Sequence, residues 1–323
     1  MNRRQVSILV AAGMLALPAS ASAAAAQGGK NAAAQPAPDA TVTVKVGHLH
    51  GGRAPIYDTV PVRGTVSPYV PGQQVEVTFY LNGHRLLSRR VPVRKGGGAG
   101  RFESSVIVRE NGKYAVSAHH AANSKLGADT TVRKSWRVSF PGLHPGECGR
   151  VVKGFKKAMG TMGYASGGGS CFNGRLGREV LAYRKVNGMD RSQKAGPGIL
   201  KKAFSGRGGY HVRYPKAGEH AEVSIDKQVL VLAKGDRPFA IYPVSTGKSS
   251  TPTITGHYEF YRREAGYNSH GMYYSFYWHG GYAVHGYAEV PNYAASHGCV
   301  RTFIADQPRI YEQLHYGESI FVF

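Results

Sequence analysis

The spacing of apolar residues changes twice along this 323-residue chain, and those changes restrict it to a small set of folds. From Thr41 apolar residues recur at every second position: Val42, Val44 and Val46, then Val75, Val77, Phe79 and Leu81, then Val106 and Val108, Tyr114 and Val116, and Trp136, Val138 and Phe140. Period two marks strands that bury one face. Asn82-Gly83 and Asn111-Gly112 fall between such runs as hairpin turns, because Asn and Gly both accept positive φ. After Pro141-Gly142 the period becomes helical, with Val152, Phe155, Met159 and Met162 on one face and Gly163 as the stop signal. A second helix carries Leu176, Val180, Tyr183 and Asn187 up to Gly188. Pro197 opens a third through Ile199, Leu200, Ala203 and Phe204. From Glu219 alternation returns in Val223, Ile225, Val229 and Val231, a Gly235-Asp236 turn, and Phe239, Ile241 and Val244. Asp306-Gln307-Pro308 starts one late helix, and Ser319–Phe323 reads as a final strand.

This pattern predicts a mainly β, multidomain protein. An immunoglobulin-like β-sandwich is expected over 41–140, a small three-helix domain over 142–205, and a mainly-β domain over 210–323. Forty-three glycines and seventeen prolines fit such a turn-rich chain. Met1–Ala23 has the charged, apolar and small-residue regions of a secretory signal peptide, with Arg3 and Arg4, then Val6–Leu17, then Ala21-Ser22-Ala23. Residues 24–40 read as a flexible Ala/Gln/Pro/Gly linker. Membrane attachment would come through the signal segment if left uncleaved. For an exported protein, a net charge of +22 points to envelope polyanions and peptidoglycan carboxylates rather than nucleic acid, with general solubility and surface adhesion as the alternative.

Export also bears on the three cysteines. Thiols tend to pair in an oxidising compartment. Cys148 and Cys171 bracket one helical segment and are expected to form a disulfide, leaving Cys299 free; the alternative, with all three reduced, stays open. Cys299 sits in Ser296-His297-Gly298-Cys299-Val300-Arg301, with His285-Gly286 upstream. A thiolate nucleophile needs a base, a group to hold that base, and donors for an oxyanion. His285 and His297 are both available as the base. The Gly286 carbonyl can hold the far nitrogen of the His285 ring, and the Gly298 and Cys299 amides can serve the oxyanion. A zinc site of His285, His297 and Cys299 is the competing reading of the same residues.

These residues resemble the signature of the L,D-transpeptidase, or YkuD-type, catalytic domain: an upstream His-Gly and a downstream [Ser/Thr]-His-Gly-Cys-x-[Arg/Asn]. Val244-Ser245-Thr246-Gly247-Lys248 and Thr251-Pro252-Thr253-Ile254-Thr255-Gly256 resemble a further stretch of that family, with Ile254 in place of its second proline. The ten-residue gap from His285 to Ser296 is shorter than usual and is similar to actinobacterial members. The resemblance implies that Cys299 is the nucleophile, His285 the base and Gly286 its holder. Ser296, His297 and Gly298 would shape the site, and Arg301 would hold the loop or a substrate carboxylate. It implies a donor tetrapeptide stem, an acceptor diaminopimelate amine, a 3→3 cross-link, and no metal or organic cofactor. L,D-carboxypeptidase activity and a non-catalytic wall-binding role are the alternatives. The aromatic run Tyr267, Tyr273, Tyr274, Phe276, Tyr277, Trp278, Tyr282 and Tyr287 is either strand packing or a cover over the stem peptide, touched by Tyr274, Trp278 and Tyr287. The three-helix segment resembles small peptidoglycan-binding domains through Gly149-x-x-Val152-x-x-Phe155, Gly163-Tyr164 and Phe172-x-x-x-Leu176-x-x-x-Val180. Lys156 and Arg184 stand where that family usually has Gln.

Overall fold

Alternating valines organise the first part of the molecule into two facing sheets. The computed structural model describes residues 37–164 and 167–323, so the expected signal peptide and most of the linker lie outside the described residues. One sheet has the order β1 (Thr41–Val46), β3 (Thr59–Ser67), β7 (Ala99–Ile107), β6 (Arg94–Gly96). The other runs β2 (Arg53–Pro55), β10 (Lys134–Ser139), β8 (Lys113–His120), β4 (Gln74–Leu81), β5 (His84–Pro92), with β9 (Asp129–Thr130) on β8. Val60, Val62, Val66 and Phe102 meet Val75, Val77, Phe79 and Trp136 in one core. The β4–β5 turn is Asn82-Gly83, with φ of 52° and 90°, the backbone that a two-residue hairpin needs. Strand β5 escapes the alternation pattern because it is an edge strand in which Arg85, Arg89 and Arg90 are exposed and Leu87 and Val91 are only partly buried against the core.

Three helices follow: α1 (Arg150–Gly160), α2 (Gly174–Val186) and α3 (Pro197–Ala203). Gly163 leaves the first turn after α1 at φ 86°, and Asn173 caps α2 by accepting the Leu176 amide at 3.1 Å. A Cys148–Cys171 disulfide joins the segments that lead into α1 and α2. The helices do not close a core of their own. Val152, Phe155, Met159, Leu176, Val180 and Leu200 share one cluster with Val229, Val231, Ala233 and Ile241 of the following sheet.

That sheet has the order β13 (Arg237–Pro243), β12 (Val229–Lys234), β11 (Glu219–Ser224), β19 (Ser319–Val322), β14 (Gly256–Glu259). Its other face packs Leu230, Leu232, Val223 and Ile320 against Phe276, Trp278, Val284 and Val300. These last belong to a second sheet, β15 (Arg262–Tyr267), β16 (Tyr273–His279), β17 (Tyr282–Tyr287), β18 (Val300–Phe303). Helix α4 (Gln307–Gln313) adds Ile310 to the same core. The layers are thus helices, sheet, sheet, and the second sheet carries the Cys299 motif.

Candidate active site

The motif is assembled by a parallel strand pair. β17 and β18 run side by side with Val284 opposite Val300 and His285 opposite Arg301. Paired residues in neighbouring strands project to one face, and so do residues two apart. His285, Arg301 and Cys299, the residue just before β18, therefore share a face, opposite to core-facing Val284 and Val300. The 14-residue separation of His285 and Cys299 in sequence collapses to adjacent strands. Cys299 is the free cysteine and is half-buried, while His285 is 2% exposed.

The His285 ring is fixed by its own neighbour. Nδ1 lies 2.9 Å from the Gly286 carbonyl oxygen. A carbonyl only accepts, so Nδ1 carries the proton and Nε2 keeps its lone pair. Gly286 itself is packed against Gln307; a Cβ there would stand 3.0 Å from the Gln307 Cβ. Behind the strand, Thr302 Oγ1 reaches the His285 carbonyl at 3.1 Å and also bonds Gln307 Oε1. Gln307 Nε2 donates to the Tyr274 carbonyl at 2.6 Å. Thr302 and Gln307 are both fully buried. Neither gives a sequence signal, because a buried Thr and Gln look like ordinary strand and helix-start residues until the pairing is known.

The cysteine loop is held by the Ser-Thr-Gly and Thr-Pro-Thr segments. Ser245 and Arg301 exchange backbone hydrogen bonds of 3.0 and 2.9 Å, and the Ser296 amide donates to the Thr246 carbonyl at 2.9 Å. Thr253 Oγ1 donates to the Gly298 carbonyl at 2.7 Å and accepts the Gly247 amide at 2.8 Å. Gly247 has no room for a side chain, since a Cβ would approach the Thr251 carbonyl oxygen. The Ser296 hydroxyl donates to the Cys299 carbonyl at 2.6 Å and accepts the Gly298 amide at 3.1 Å. That contact corrects one expectation. Of the two amides assigned to an oxyanion, the Gly298 N–H is engaged within the loop. Gly298 serves the turn instead, at φ 119° with the Tyr282 ring where a Cβ would go.

Burial sets the protonation of the pair. It drives the His285 imidazole down to about 4, against a smaller upward pull from the Gly286 hydrogen bond, and Arg301 lowers it further. Burial also raises the Cys299 thiol, opposed by the Ala283 amide and by Arg301. Both shifts favour the uncharged forms, a thiol and an imidazole. The Cys299 thiol donates to the Gly281 carbonyl at 3.4 Å. Arg301 lies over the Tyr287 ring at 4.1 Å, and that ring meets His285 edge-on at 5.6 Å.

The other expected residues separate. His297 points to solvent, whereas His285 carries the anchored, buried ring. Among the described residues no group of three or more His, Cys, Asp or Glu could hold a metal ion, His285, His297 and Cys299 included. Trp278 is corrected from a substrate contact to a core residue: it is 3% exposed and packs between the two sheets. Tyr274 keeps partial exposure, with φ of 51° and its ring edge-on to Tyr311. Tyr287 stays beside His285 and Arg301.

Comparisons with known proteins find similarity in this same segment. Residues 218–322 match the family model of the YkuD L,D-transpeptidase catalytic domain. No curated protein matches the chain. A solved L,D-transpeptidase from Xylanimonas cellulosilytica shares its fold at 24% identity and a TM-score of 0.52, over 57% of this chain and 98% of that one. One from Stackebrandtia nassauensis aligns at 20% identity with a TM-score of 0.35, over 56% and 97%. Residues 218–322, the segment that carries the Cys299 motif, thus resemble the YkuD type of L,D-transpeptidase catalytic domain in both family pattern and fold.

Proposed function

We propose that the protein is an exported L,D-transpeptidase that forms 3→3 peptidoglycan cross-links through a thioester on Cys299. The observation that carries this reading is the parallel β17–β18 register, which sets Cys299 beside a buried His285 whose Nδ1 bonds the Gly286 carbonyl. In the first half-reaction His285 Nε2 takes the thiol proton as Sγ attacks the carbonyl of the diaminopimelate–D-alanine bond. The Cys299 amide stabilises the oxyanion. His285 returns the proton to the leaving amine, so D-alanine departs and the acyl group stays on sulfur. In the second, the side-chain amine of an acceptor stem attacks the thioester and its proton passes to His285. The C–S bond breaks and the thiol is restored. Arg301, half-buried on the same face, is suited to a substrate carboxylate. The disulfide and the family's wall substrate support an extracytoplasmic site of action.

The test is mass spectrometry of products from a disaccharide tetrapeptide. Cross-linked dimers plus D-alanine are expected from the wild type and none from Cys299→Ala. Tripeptides alone would establish an L,D-carboxypeptidase. Undiminished turnover by Cys299→Ala would defeat the nucleophile assignment, and an inert wild type would favour the non-catalytic wall-binding role.

A further inference from the structure

The excess positive charge of this molecule lies outside the segment that carries the Cys299 motif. Residues 219–323 carry eight Lys and Arg against ten Asp and Glu, whereas 41–140 carry fifteen against five and 141–218 fifteen against three. The excess therefore does not serve the peptide-binding site directly.

In the sandwich, six of those fifteen cations gather on the outer face of one sheet. Arg137 on β10 is opposite Arg53 on β2 and opposite Lys113 on β8. Register partners project to the same side, and the residues after each of them in sequence (Ala54, Val138 and Tyr114) are buried. Arg53, Arg137 and Lys113 thus form an exposed row of three cations on adjacent strands, spaced by roughly 4.8 Å per strand. None has an ion-pair partner among the described residues. Like charges directly across a sheet are destabilising, so the row costs the isolated fold something. The same face continues with Tyr80, whose ring holds the Arg133 guanidinium at 3.7 Å, and with Arg85 and Arg90 on β5. Glu76 is the one carboxylate on β2, β4, β5, β8 and β10. It is already bonded to Ser88 at 2.6 Å and lies 3.8 Å from Arg85.

We infer that this outer sheet face docks a linear phosphodiester polymer of the cell envelope, of the poly(glycerol phosphate) kind, and so holds the catalytic domain at the wall. Five of the six cations are arginine, whose planar fork matches two oxygens of one phosphate. A single chain with a negative charge in every repeat satisfies a row of neighbouring cations. The carboxylates of stem peptides, interspersed with free amines, supply a lower net charge per length. The inference rests on the extracytoplasmic part of the proposed function and not on the catalytic chemistry.

Binding of the mature protein to poly(glycerol phosphate) at physiological salt tests it, against poly-glutamate and oligothymidylate of equal charge number. Two charge-matched variants are compared: Arg53→Gln/Lys113→Gln/Arg137→Gln on the face, and Lys157→Gln/Lys201→Gln/Lys202→Gln on the exposed helices. The face variant is expected to lose about 100-fold in affinity for poly(glycerol phosphate) and the helix variant little. Its Tm should be no lower than wild type, because a repulsive row has been removed. Equal losses in the two variants would show diffuse charge attraction and overturn the assignment to this face. Equal or tighter binding of poly-glutamate or oligothymidylate, or no binding by the wild type, would overturn the ligand class. Unaltered turnover of soluble tetrapeptide in the face variant keeps this outcome separate from the transpeptidase reading.

Discussion

At the scale of single residues, the burial of His285 makes a prediction that its sequence position does not. An ordinary imidazole titrates near 6.5 and would limit a thiol enzyme below neutral pH, whereas the buried ring is held at about 4. The acid limb of kcat/KM should therefore fall near pH 4, because His285 remains an unprotonated base down to that point. Arg301 adds to the depression, so Arg301→Ala should move the limb towards higher pH as well as weaken substrate binding. A pH–rate profile in both proteins checks this; a limb near 6.5 in the wild type would remove His285 as the buried base. The same ring affects stability. Between about 6.5 and 4 the unfolded chain binds a proton that the native site refuses, so its contribution makes folding less favourable as pH drops through that window. Gly298 offers a second check. Its φ of 119°, and a Tyr282 ring carbon 2.6 Å from where an alanine methyl would stand, leave no place for a side chain. Gly298→Ala should lower kcat/KM by about 100-fold or more while thermal stability falls less, since the strain centres on the loop that carries Cys299.

At the scale of elements, α2 and α4 are tied by one buried pair. Arg178 Nε and Nη2 reach the two Asp306 oxygens at 2.5 and 2.7 Å, with side chains 15% and 6% exposed. Removing one partner of such a pair strands a buried charge, whereas removing both does not. Arg178→Met should cost about 3 kcal/mol in denaturant unfolding, and Arg178→Met/Asp306→Asn clearly less. A double variant as unstable as the single one would show that the pair acts only through packing. This contact also marks where sequence reading stops. The starts of α3 and α4 are legible because Pro197 and Pro308 sit in their first turns, and Gly163 and Gly188 mark the ends of α1 and α2. The Cys299 loop is legible because His-Gly and Ser-His-Gly-Cys are short local strings. Thr302, Gln307, Thr246 and Thr253 are not, because each acts through a partner distant in sequence. Strand β18 is hidden as well: four residues, Val300–Phe303, are too few to show a period. Trp278 alternates with Phe276 in a run readable as packing or as a cover, and the facing sheet makes both of them core.

At the scale of the molecule, the helical segment packs as a layer on the sheet behind the Cys299 motif. Its sequence pattern looks self-contained, yet one face of the β11–β13 sheet supplies Val229, Val231, Ala233 and Ile241 to the helical core. Lys185 of α2 reinforces the join by donating to the Gln228 and Val244 carbonyls at 3.2 and 2.8 Å. Val244 leads directly into Ser245, Thr246 and Gly247, which hold the cysteine loop, so the helices brace the site from behind. The segment before β11 adds a polar clasp: fully buried Glu222 accepts the Tyr210 hydroxyl at 2.8 Å and the Arg213 and Tyr214 amides at 2.8 and 2.7 Å. Uncovering those four apolar side chains would forfeit about 5 kcal/mol, a large part of the margin of an ordinary domain. A fragment of residues 219–323 should therefore bind a hydrophobic dye, unfold without a cooperative transition and fail to turn over tetrapeptide. A fragment of 141–323 should unfold cooperatively and retain soluble-substrate activity, since the sandwich has its own core and meets the helices through Tyr57, Phe140, Val151 and Phe204 and the Asn111–Ser205 hydrogen bond. Calorimetry of the two fragments decides the matter: a cooperative, wild-type-like transition in 219–323 would mean that the helices only decorate the sheet they cover.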